Sequence, residues 1–476
     1  MTEFDEICYE KLMDGLEIQE ILYSELEFSG RIDAEYYQKN YLAYEKIIHK
    51  CRNDRLYHLA DFLIGPFGSA YNTNNYTDVP DFRYVRGQDV KPFVLKNTEA
   101  RYMTEEDFNR LSRYALKVGD ILVSVVGTLG NACIVRKKDI PAIFSCKSTV
   151  IRTTAVNPYF LTAYLNSKYG RNLLLRKERG VIQKGLNLDD LKILDIPLFS
   201  NKFQNICENF INEAWKLMDE SIDVYEETEG LLIETLGLKN YVPQTVGYSI
   251  RSFKTSFGDT RRLDAEYYQS EYDYYDNLLK QYHNGYGLVG DICTIKDKNY
   301  NPEYKTKYLY IELADVGQQG DISECNKIYG IDLPTRARRK VSTGDVILSS
   351  VEGSLSKCAL ITPDCDGYLC TNGFYVMRCN WINPETLMML FKSIPVQALL
   401  KKGCSGTILS AIGKEELLKI PLPIIDIAVQ EKIMCMVAES NLARRQGKEL
   451  LDKVVRFVEI AIEQGEEVAL EYVNNI

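Results

Sequence analysis

The chain has 476 residues, enough for two to four domains, and its 45% hydrophobic and 26% charged residues are typical of a globular protein. A formal net charge of −10 argues against indiscriminate nucleic-acid binding, although local basic patches decide that question because contacts with phosphate are short-range and screened by salt. Thirteen cysteines without a Cys-x-x-Cys motif favour a reducing cytoplasm over a disulfide framework or a zinc site, and no stretch is apolar enough to span a membrane.

The chain begins with an acidic segment, predicted over residues 1–55, that lacks the apolar core of a secretion signal. It contains the motif Arg-Ile-Asp-Ala-Glu-Tyr-Tyr-Gln at 31–38, which returns as Arg-Leu-Asp-Ala-Glu-Tyr-Tyr-Gln at 262–269. Later residues also recur in order, as Pro197 does with Pro423. An internal repeat of this length indicates two similar domains, each large enough for its own core, related by a pseudo-twofold axis.

Each repeat continues with short runs rich in Val and Ile, separated by Gly, Asn, Asp and Pro. Such runs, bounded by turn residues, are typical of β-strands, and the clearest examples are 120–126 and 345–351. Helical patterns occur in the same stretches. The sequence therefore predicts two mixed α and β domains, over 56–200 and 284–424.

Two kinds of helix are predicted from the spacing of apolar residues. The shorter kind covers 158–176 and 384–402, near the end of each mixed domain. The longer kind covers 201–240 and 425–476, where apolar and small residues alternate steps of three and four, a narrow seam that requires a partner helix. We expect the long helices to pair as an antiparallel coiled coil; the alternative is that each packs on its own domain. Residues 241–283 form the linker that carries the second copy of the motif.

The expected fold class is therefore α+β, with two similar mixed α/β domains separated by a long antiparallel two-helix coiled coil. Several short sequence motifs of the first half also resemble those of a known protein family. They are Gly-Pro-Phe-Gly-Ser at 65–69, Tyr-Val-Arg-Gly-Gln-Asp-Val at 84–90, Gly-Asp-Ile-Leu at 119–122 and Gly-Thr-Leu-Gly at 127–130. In this order and in duplicate, the chain resembles the DNA-specificity subunit of type I restriction-modification systems over nearly its whole length. The second half departs from the pattern where Glu-Gly-Ser-Leu-Ser-Lys replaces Gly-Thr-Leu-Gly, as expected if the halves read different bases.

The resemblance implies that 56–200 and 284–424 are target-recognition domains, each reading half of a bipartite, asymmetric site in double-stranded DNA. The long helices would then be spacers that set the unread gap and dock two methyltransferase subunits and, further, two restriction subunits. It also implies that the chain itself is not an enzyme and binds no metal or cofactor. S-adenosylmethionine would bind to the methyltransferase partners, and ATP and Mg to the restriction partners.

Paired clusters of basic residues indicate where DNA would bind. Lys and Arg suit phosphates, while Asn, Ser and Arg in loops suit base edges, and a Tyr can stack on a flipped base. The candidate readers lie in 69–75 and 296–305. The candidate contacts are Ser69, Tyr71, Asn72, Asn74, Arg110, Arg113, Lys117, Thr128, Arg136, Arg176, Lys177, Lys184, Lys298, Tyr300, Lys305, Arg336, Arg338, Arg339, Lys340, Ser354, Lys357, Lys401 and Lys402. The alternative is that these are ordinary solvated surface charges.

Two other functions remain open from the residues alone. Asp291, Glu303 and Lys305 faintly resemble the triad of a metal-dependent nuclease, although the first half has no counterpart. The duplicated domains could also form a protein-binding scaffold of a related phage-defence complex. Asn157-Pro158-Tyr159-Phe160 lacks the second proline of an adenine-methyltransferase motif and predicts a turn that opens a helix.

Overall fold

The computed structural model describes residues 9, 12–18, 20–24, 26, 30–97, 99–153, 155–180, 184–239, 250–258, 260–323, 325–406 and 410–474. The chain divides into two compact units, the first comprising residues 1–217 with 446–476 and the second comprising residues 218–445. Across the described parts, no helix combines the length and the apolar character needed to cross a membrane.

The first unit contains short strands and helices that alternate along the chain. Its strands are β1 (Asn53–Arg55), β2 (Ala60–Ile64), β3 (Phe82–Val85), β4 (Arg101–Met103), β5 (Ile121–Ser124), β6 (Ala132–Ile134), β7 (Ala142–Phe144), β8 (Ser148–Thr153) and β9 (Asp195–Pro197). Its helices are α1 (Lys39–Ile48), α2 (Leu56–Leu59), α3 (Glu105–Arg110), α4 (Pro158–Asn166), α5 (Lys168–Leu175) and α6 (Leu188–Lys192). Helix α7 (Asn201–Thr235) begins in this unit and ends in the second.

Two sheets enclose the core of the first unit. One is antiparallel, in the order β2-β8-β5-β6, and the other has the order β4-β3-β7 with β3 parallel to β7. Leu122 and Val150 from the first sheet and Val85 and Phe144 from the second are all buried in one apolar cluster. The predicted strand at 120–126 is confirmed as the central strand β5, whose residues are all buried.

The second unit repeats this order of elements. Its strands are β10 (Tyr286–Leu288), β11 (Cys293–Ile295), β12 (Lys307–Ile311), β13 (Asn326–Tyr329), β14 (Ala337–Lys340), β15 (Val346–Ser349), β16 (Cys358–Leu360), β17 (Leu369–Thr371), β18 (Phe374–Cys379), β19 (Cys404–Ser405), β20 (Ala411–Ile412) and β21 (Pro421–Pro423). Its helices are α8 (Ser270–Lys280), α9 (Val289–Ile292), α10 (Pro384–Lys392), α11 (Ile394–Lys402) and α12 (Lys414–Leu418). Helix α13 (Ile427–Gln464) begins here and ends in the first unit, where α14 (Glu466–Asn474) follows it.

The sheets of the second unit match those of the first, which confirms the predicted repeat of mixed domains. An antiparallel sheet has the order β11-β18-β15-β16, and a second sheet has the order β13-β12-β17-β14 with β12 parallel to β17. Strand β14 is an addition, because the described residues of the first unit form a single bridge, Ala115 to Ile143, at the corresponding place. The basic residues of β14 therefore lie on a sheet edge that the first unit does not build in full.

A buried carboxylate explains the repeated Gly-Asp pair before the central strand of each unit. Asp120 accepts hydrogen bonds from the backbone N–H of Lys117 at 2.9 Å and from Arg152 Nε at 2.8 Å. Asp345 does the same with the backbone N–H of Ser342 at 2.7 Å and Arg378 Nε at 2.5 Å. The glycine before each aspartate has a positive φ, +88° and +83°, which only glycine adopts readily.

The repeated Asp-Ala-Glu-Tyr-Tyr motif also forms the same structure twice. In the first unit the ring of Tyr36 lies between the guanidinium groups of Arg31 and Arg176, at 4.8 and 4.1 Å from the ring centre. In the second unit Tyr267 lies between Arg262 and Lys402, at 4.4 and 5.0 Å, in the same arrangement. Cation–π contacts of this kind fix a ring by both of its faces. The motif therefore has a structural role, because its tyrosine packs the start of each repeat against the rest of the unit.

The two shorter predicted helices are wrong in one respect, because each is divided into two. The helix predicted over 158–176 breaks at Ser167, whose hydroxyl accepts a hydrogen bond from the backbone N–H of Gly170 and so caps α5. The helix predicted over 384–402 breaks at Ser393, and Pro395 lies in the first turn of α11. A serine cap and an early proline are both signals for the start of a helix, which periodicity alone overlooks.

The two long helices confirm the prediction from the apolar seam. In the first unit Phe203 of α7 stacks on Phe457 of α13, with ring centres 4.1 Å apart. In the second unit the hydroxyls of Ser221 and Ser440 are 3.1 Å apart. Since the contacts advance along α7 as they retreat along α13, the two helices are antiparallel. The alternative is also partly met, because Phe203 of α7 contacts Phe160 in its own domain, with ring centres 6.0 Å apart.

Helix α7 ends at Thr235, ahead of the predicted bound at 240, and Gly237 supplies the stop. Gly237 has a φ of +73°, and its N–H donates to the carbonyl oxygen of Glu234 at 2.9 Å. The N–H of Leu238 reaches back to the carbonyl of Ile233 at 2.9 Å. This pair of bonds is the Schellman arrangement that ends many helices on a glycine.

Candidate nucleic-acid interface

The ends of several strands meet at one edge of the first unit. Strands β2 and β5 end where β8 begins, and β3 ends beside the end of β7. Two glycines allow the connecting loops to close on one another: a Cβ on Gly65 would lie 2.5 Å from the backbone of Ser145, and one on Gly87 would lie 2.8 Å from the Cβ of Lys147. The exposed side chains of these loops are Phe67, Ser69, Gln88, Thr128 and Lys147.

The first candidate reading loop, 69–75, continues from this edge and packs on α3. Arg110 Nη1 donates to the carbonyl of Ala70 at 2.8 Å, and Asn75 Nδ2 donates to Asp107 at 3.3 Å. The carboxylate of Asp107 also pairs with Arg110, which lowers the pKa of Asp107 and keeps it charged. These contacts hold the loop, so that the side chains of Ser69, Asn72 and Asn74 remain exposed on its outer side.

Tyr71 does not belong to that exposed set. Its side chain is 3% exposed and packs with Tyr76 and Tyr84, with ring centres 5.8 and 4.7 Å away. Burial raises the pKa of Tyr71 to about 12. We therefore exclude Tyr71 from the interface, because a ring that is buried in the core cannot stack on a base.

The second candidate reading loop, 296–305, runs along strand β14 in the second unit. The backbone N–H of Tyr300 donates to the carbonyl of Arg338 at 2.8 Å, and Arg338 Nη1 donates to Asn301 Oδ1 at 3.2 Å. Arg339 Nη1 donates to the carbonyl of Asp297 at 2.6 Å and also to the side chain of Asn299. The structure thus brings two separately predicted segments together.

A β-bulge explains why two successive arginines face the same loop. The register between β14 and β17 shifts between Ala337 and Arg339, so one extra residue is accommodated there. Successive side chains normally point to opposite faces of a sheet, and a bulge redirects one of them. Lys340, the next residue, lies 5.1 Å from the centre of the Tyr300 ring. Lys298 is exposed on the same loop.

The two units share this arrangement although their residues differ. In each, the loop after the first strand of the antiparallel sheet packs against the segment that precedes the Gly-Asp turn. In each, an arginine of that segment donates to a backbone carbonyl of the loop, Arg110 to Ala70 and Arg339 to Asp297. The loops themselves present different polar side chains. We call these two surfaces the loop-arginine surfaces of the first and second units.

Several predicted contacts are instead used by the fold. Arg176 is 5% exposed, donates to the carbonyl of Tyr36 at 2.7 Å and pairs with Glu45 at 2.9 Å. Burial lowers the pKa of Lys177 and of Lys402, and Lys402 also contacts the ring of Tyr267. These three cations are held by neighbours inside their units, so we leave them out of the proposed interface.

Four other predicted contacts also have partners within the protein, although they are less buried than Arg176. Lys357 donates to the carbonyl of Val316 at 2.5 Å, and Ser354 hydrogen-bonds with Ser349 at 2.8 Å. Lys184 pairs with a carboxylate close to it in sequence, and Lys401 Nζ lies 3.7 Å from the carboxylate of Glu266. Each of these groups would have to exchange a protein partner for a phosphate.

The remaining predicted contacts fall at different places. Lys117 is exposed just before β5, and Arg136 follows β6, so both lie at the end of the sheet opposite to Thr128. Arg136 covers Trp215, with its guanidinium 5.1 Å from the ring centre, while Arg113 covers Tyr114 at 4.5 Å. The predicted basic contacts of the first unit therefore do not all lie on one surface.

In the second unit, two predicted contacts lie beside the loop-arginine surface. Arg336 precedes β14 and pairs with Glu312 at 3.0 Å. Lys305 is exposed at the far end of the loop. Among the described residues, no group of three or more His, Cys, Asp or Glu side chains is placed to hold a metal ion, so Glu303 and Lys305 gain no support as a nuclease site.

Sequence reasoning overlooked two polar residues, Gln88 and Lys147, which are exposed at the edge of the first unit. It predicted the loop at 296–305 without singling out Asn299 and Asn301, which position the two arginines. Lys296 Nζ donates to the buried Asp345 at 2.6 Å and so fixes the start of the second loop. The glycine before Gln88 was the available signal, because a glycine at a strand end marks a close approach of backbones.

Comparisons with known proteins give a structural likeness. No protein-family model matches the sequence, and no curated protein is detectably similar to it. The fold is similar to the crystal structure of a type I restriction-modification system S subunit from M. genitalium, which is 14% identical, with 86% of this chain and 94% of that chain covered and a TM-score of 0.42.

Two further structures are similar. One comes from work on complex assembly and conformational transition of the type I R-M system, at 15% identity, with 87% of this chain and 98% of that chain covered and a TM-score of 0.29. The other is the HsdS subunit of Thermoanaerobacter tengcongensis, at 17% identity, with 87% and 97% covered and a TM-score of 0.28. Because these three identities are below 25% and these TM-scores below 0.5, the function proposed below rests on the chain's own residues.

Proposed function

We propose that this chain is a non-catalytic subunit that recognises a bipartite DNA sequence, with one half read by each unit. The observation that carries the proposal is the pair of loop-arginine surfaces. They occupy equivalent places in two similar units, yet one presents Ser69, Asn72 and Asn74 and the other presents Lys298 and Tyr300. Equivalent placement with different chemistry suits a target whose two halves differ.

The chemistry of these surfaces suits a duplex. Arginine and asparagine side chains are the groups that read guanine and adenine edges in the major groove, and lysines neutralise phosphates. In the second unit Arg338, Arg339 and Lys340 follow one another on β14, and the described residues place no carboxylate within ion-pair distance of them. Such a local cluster attracts DNA even though the whole chain carries a formal charge of −10.

The long helices supply the second part of the proposal. Exposed side chains along α7 and α13 offer a surface on which enzymatic partners would dock. We propose two methyltransferase subunits, which use S-adenosylmethionine, and restriction subunits that use ATP and Mg. The paired helices would set the length of the unread gap between the half-sites.

A binding selection on the intact complex tests the proposal. The chain is co-produced with its methyltransferase partners and mixed with duplexes of random sequence, and the retained duplexes are sequenced. We expect two short conserved blocks separated by an unread gap of fixed length. The proposal would be overturned if duplexes were retained regardless of their sequence. It would also be overturned if the retained duplexes shared one uninterrupted conserved block.

A matched pair of charge reversals identifies the surface. Arg339→Glu is expected to weaken binding and to remove the conserved block read by the second unit. Lys327→Glu serves as the control, because Lys327 is exposed on β13, the other edge strand of the same sheet. Equal loss of binding in both variants would point to a general charge effect and away from the loop-arginine surface.

A further inference from the structure

Two cysteines face each other across neighbouring strands of the second unit. Cys293 of β11 is the direct partner of Cys379 of β18 in an antiparallel pair. The backbone hydrogen bonds on either side run from Asn380 to Ile292 and from Lys296 to Val376. Since bonded and non-bonded pairs alternate in an antiparallel ladder, Cys293 and Cys379 form a non-hydrogen-bonded pair.

This geometry is the one in which a disulfide can close between strands. The Cα atoms of a non-hydrogen-bonded pair are about 4.5 Å apart, whereas disulfides span Cα separations of about 4.4–6.8 Å. Both side chains are half-buried and accessible to a small reagent, and the two thiols hydrogen-bond to each other. The pairing of the two strands therefore brings the two cysteines within the range that a disulfide spans.

The two thiols differ in character. The hydrogen bond from Cys293 lowers the pKa of Cys379, and the backbone N–H groups of residues 380–382 lower it further. The same hydrogen bond raises the pKa of Cys293, so the proton of the pair stays on that side. A thiolate held beside a second thiol is the usual arrangement of a cysteine that reacts with an oxidant and of its resolving partner.

We propose that Cys293 and Cys379 are a peroxide-sensitive modification site that closes reversibly into a cross-strand disulfide. The Cys379 thiolate attacks one oxygen of hydrogen peroxide, forming a sulfenic acid and releasing hydroxide, which takes up a proton to become water. The Cys293 sulfur then attacks the sulfenic sulfur, and the second oxygen leaves as water with the thiol proton. Two thiols thus lose two electrons and two protons to one peroxide, and a small thiol reductant reverses the change.

The position of the pair gives the modification a structural consequence. Strand β11 has three residues and lies at the edge of its sheet, so β18 is its one neighbouring strand among the described residues. It leads directly into Lys296 and the loop that Arg338 and Arg339 contact. A disulfide would therefore fix the base of the second loop-arginine surface. The proposal concerns thiol chemistry and stands whether or not that surface binds DNA.

Peptide mapping of the full chain tests it. The protein is exposed to hydrogen peroxide under native conditions, the remaining thiols are blocked, and the digest is analysed by mass spectrometry with and without prior reduction. We expect a linked pair of peptides containing Cys293 and Cys379, with the loss of two hydrogen atoms, that disappears after reduction. We also expect slower hydrogen exchange of the β11 amides in the oxidised protein.

Variants separate this pair from general thiol oxidation. In Cys293→Ser, the peptide with Cys379 should gain oxygen or be trapped by a sulfenic acid reagent, because the resolving thiol is absent. Cys435→Ser, at an exposed thiol of α13, should leave the linked peptides unchanged. Circular dichroism shows whether each variant is folded. The proposal is overturned if folded wild-type protein oxidises at Cys435 while Cys293 and Cys379 stay reduced, or if both become oxidised without linking.

Discussion

Single buried carboxylates connect the segments that carry the proposed interface. Asp345 is fully buried and binds Lys296, where the second loop begins, as well as Arg378 and the turn before β15. Asp120 holds the corresponding turn of the first unit through Arg152. A buried carboxylate of this kind is stable only while its hydrogen-bond donors remain in place. Removing its charge in turn leaves Lys296 and Arg378 without this anionic partner.

The first prediction concerns that carboxylate. Asp345→Asn keeps the shape of the side chain but removes its charge, so its charge-assisted hydrogen bonds weaken, and we expect the second unit to lose about 1–3 kcal/mol of stability. Hydrogen exchange of the β15 and β18 amides measures the change in that unit alone. Asp364→Asn is the control, because Asp364 is largely exposed and should change stability by about 0.5 kcal/mol or less. Equal protection of these amides from hydrogen exchange in Asp345→Asn and Asp364→Asn would contradict the stabilising role of Asp345.

Two arginines predicted from the sequence as DNA contacts should behave differently. Arg176 is buried between Tyr36 and Glu45, whereas Arg339 lies on the second loop-arginine surface. We expect Arg176→Ala to lower the stability of the first unit by about 2 kcal/mol and to leave the salt dependence of DNA binding unchanged. We expect Arg339→Ala to weaken binding and to reduce the slope of log K against log salt by about 1. Titration of a fixed duplex at several salt concentrations measures both slopes, and the reverse pattern would place the interface elsewhere.

At the scale of elements, the long helices combine apolar and polar contacts in one seam. Phe203 and Phe457 are fully buried and stacked, while Ser221 and Ser440 are buried and hydrogen-bonded to each other. Truncating a buried aromatic ring leaves a cavity, whereas removing both partners of a buried hydrogen bond is nearly neutral. The strength of the pairing should therefore be concentrated at the aromatic contact.

The seam gives a second kind of prediction. Phe457→Ala is expected to cost about 3–5 kcal/mol, and the double variant Ser221→Ala with Ser440→Ala about 1 kcal/mol or less. Urea unfolding followed by circular dichroism compares the two, with separate transitions allowed for the two units. If the serine variant proved the more damaging, the polar contact would be the main source of specificity in the helix pair.

Elements with a strong repeating pattern were predictable, and those that depend on contacts between distant segments were not. The seam marked α7 and α13, and the runs rich in Val and Ile marked β5 and β15, because these patterns repeat within one segment. The breaks at Ser167 and Ser393 arise from single capping residues, which a periodic pattern does not register. The pairing of the loop at 297–301 with β14 depends on a bulge and on long-range hydrogen bonds, so no local pattern could reveal it.

The candidate site shows the same limit. Charge clusters in the sequence marked Arg338 and Arg339 as candidate DNA contacts, and the structure places both beside the polar loop. They did not distinguish these residues from Arg176 or Lys402, since an arginine that stacks on a core tyrosine and one on an exposed strand have the same charge. Burial separates them, and burial is a property of the folded chain.

At the scale of the whole molecule, the proposed function depends on a chain that is duplicated but not identical in its halves. A protein made of two identical subunits presents the same surface twice and reads a palindrome. Here the antiparallel sheets share one strand order, while β14 and the reading loops differ between the units. The expected target is therefore asymmetric, and its gap should depend on the length of the paired helices.

The last prediction tests that dependence directly. One heptad is inserted into α7 and one into α13 at facing positions, which preserves the antiparallel seam and lengthens each helix by about 10 Å. If the helices act as a spacer, the unread gap should grow by about three base pairs, at about 3.4 Å each, while both conserved blocks stay the same. A binding selection on the intact complex reads out blocks and gap together. A control insertion in α7 alone should disturb the seam and weaken binding to every duplex. An unchanged gap with the double insertion would show that the helices hold the units together without setting their spacing on DNA.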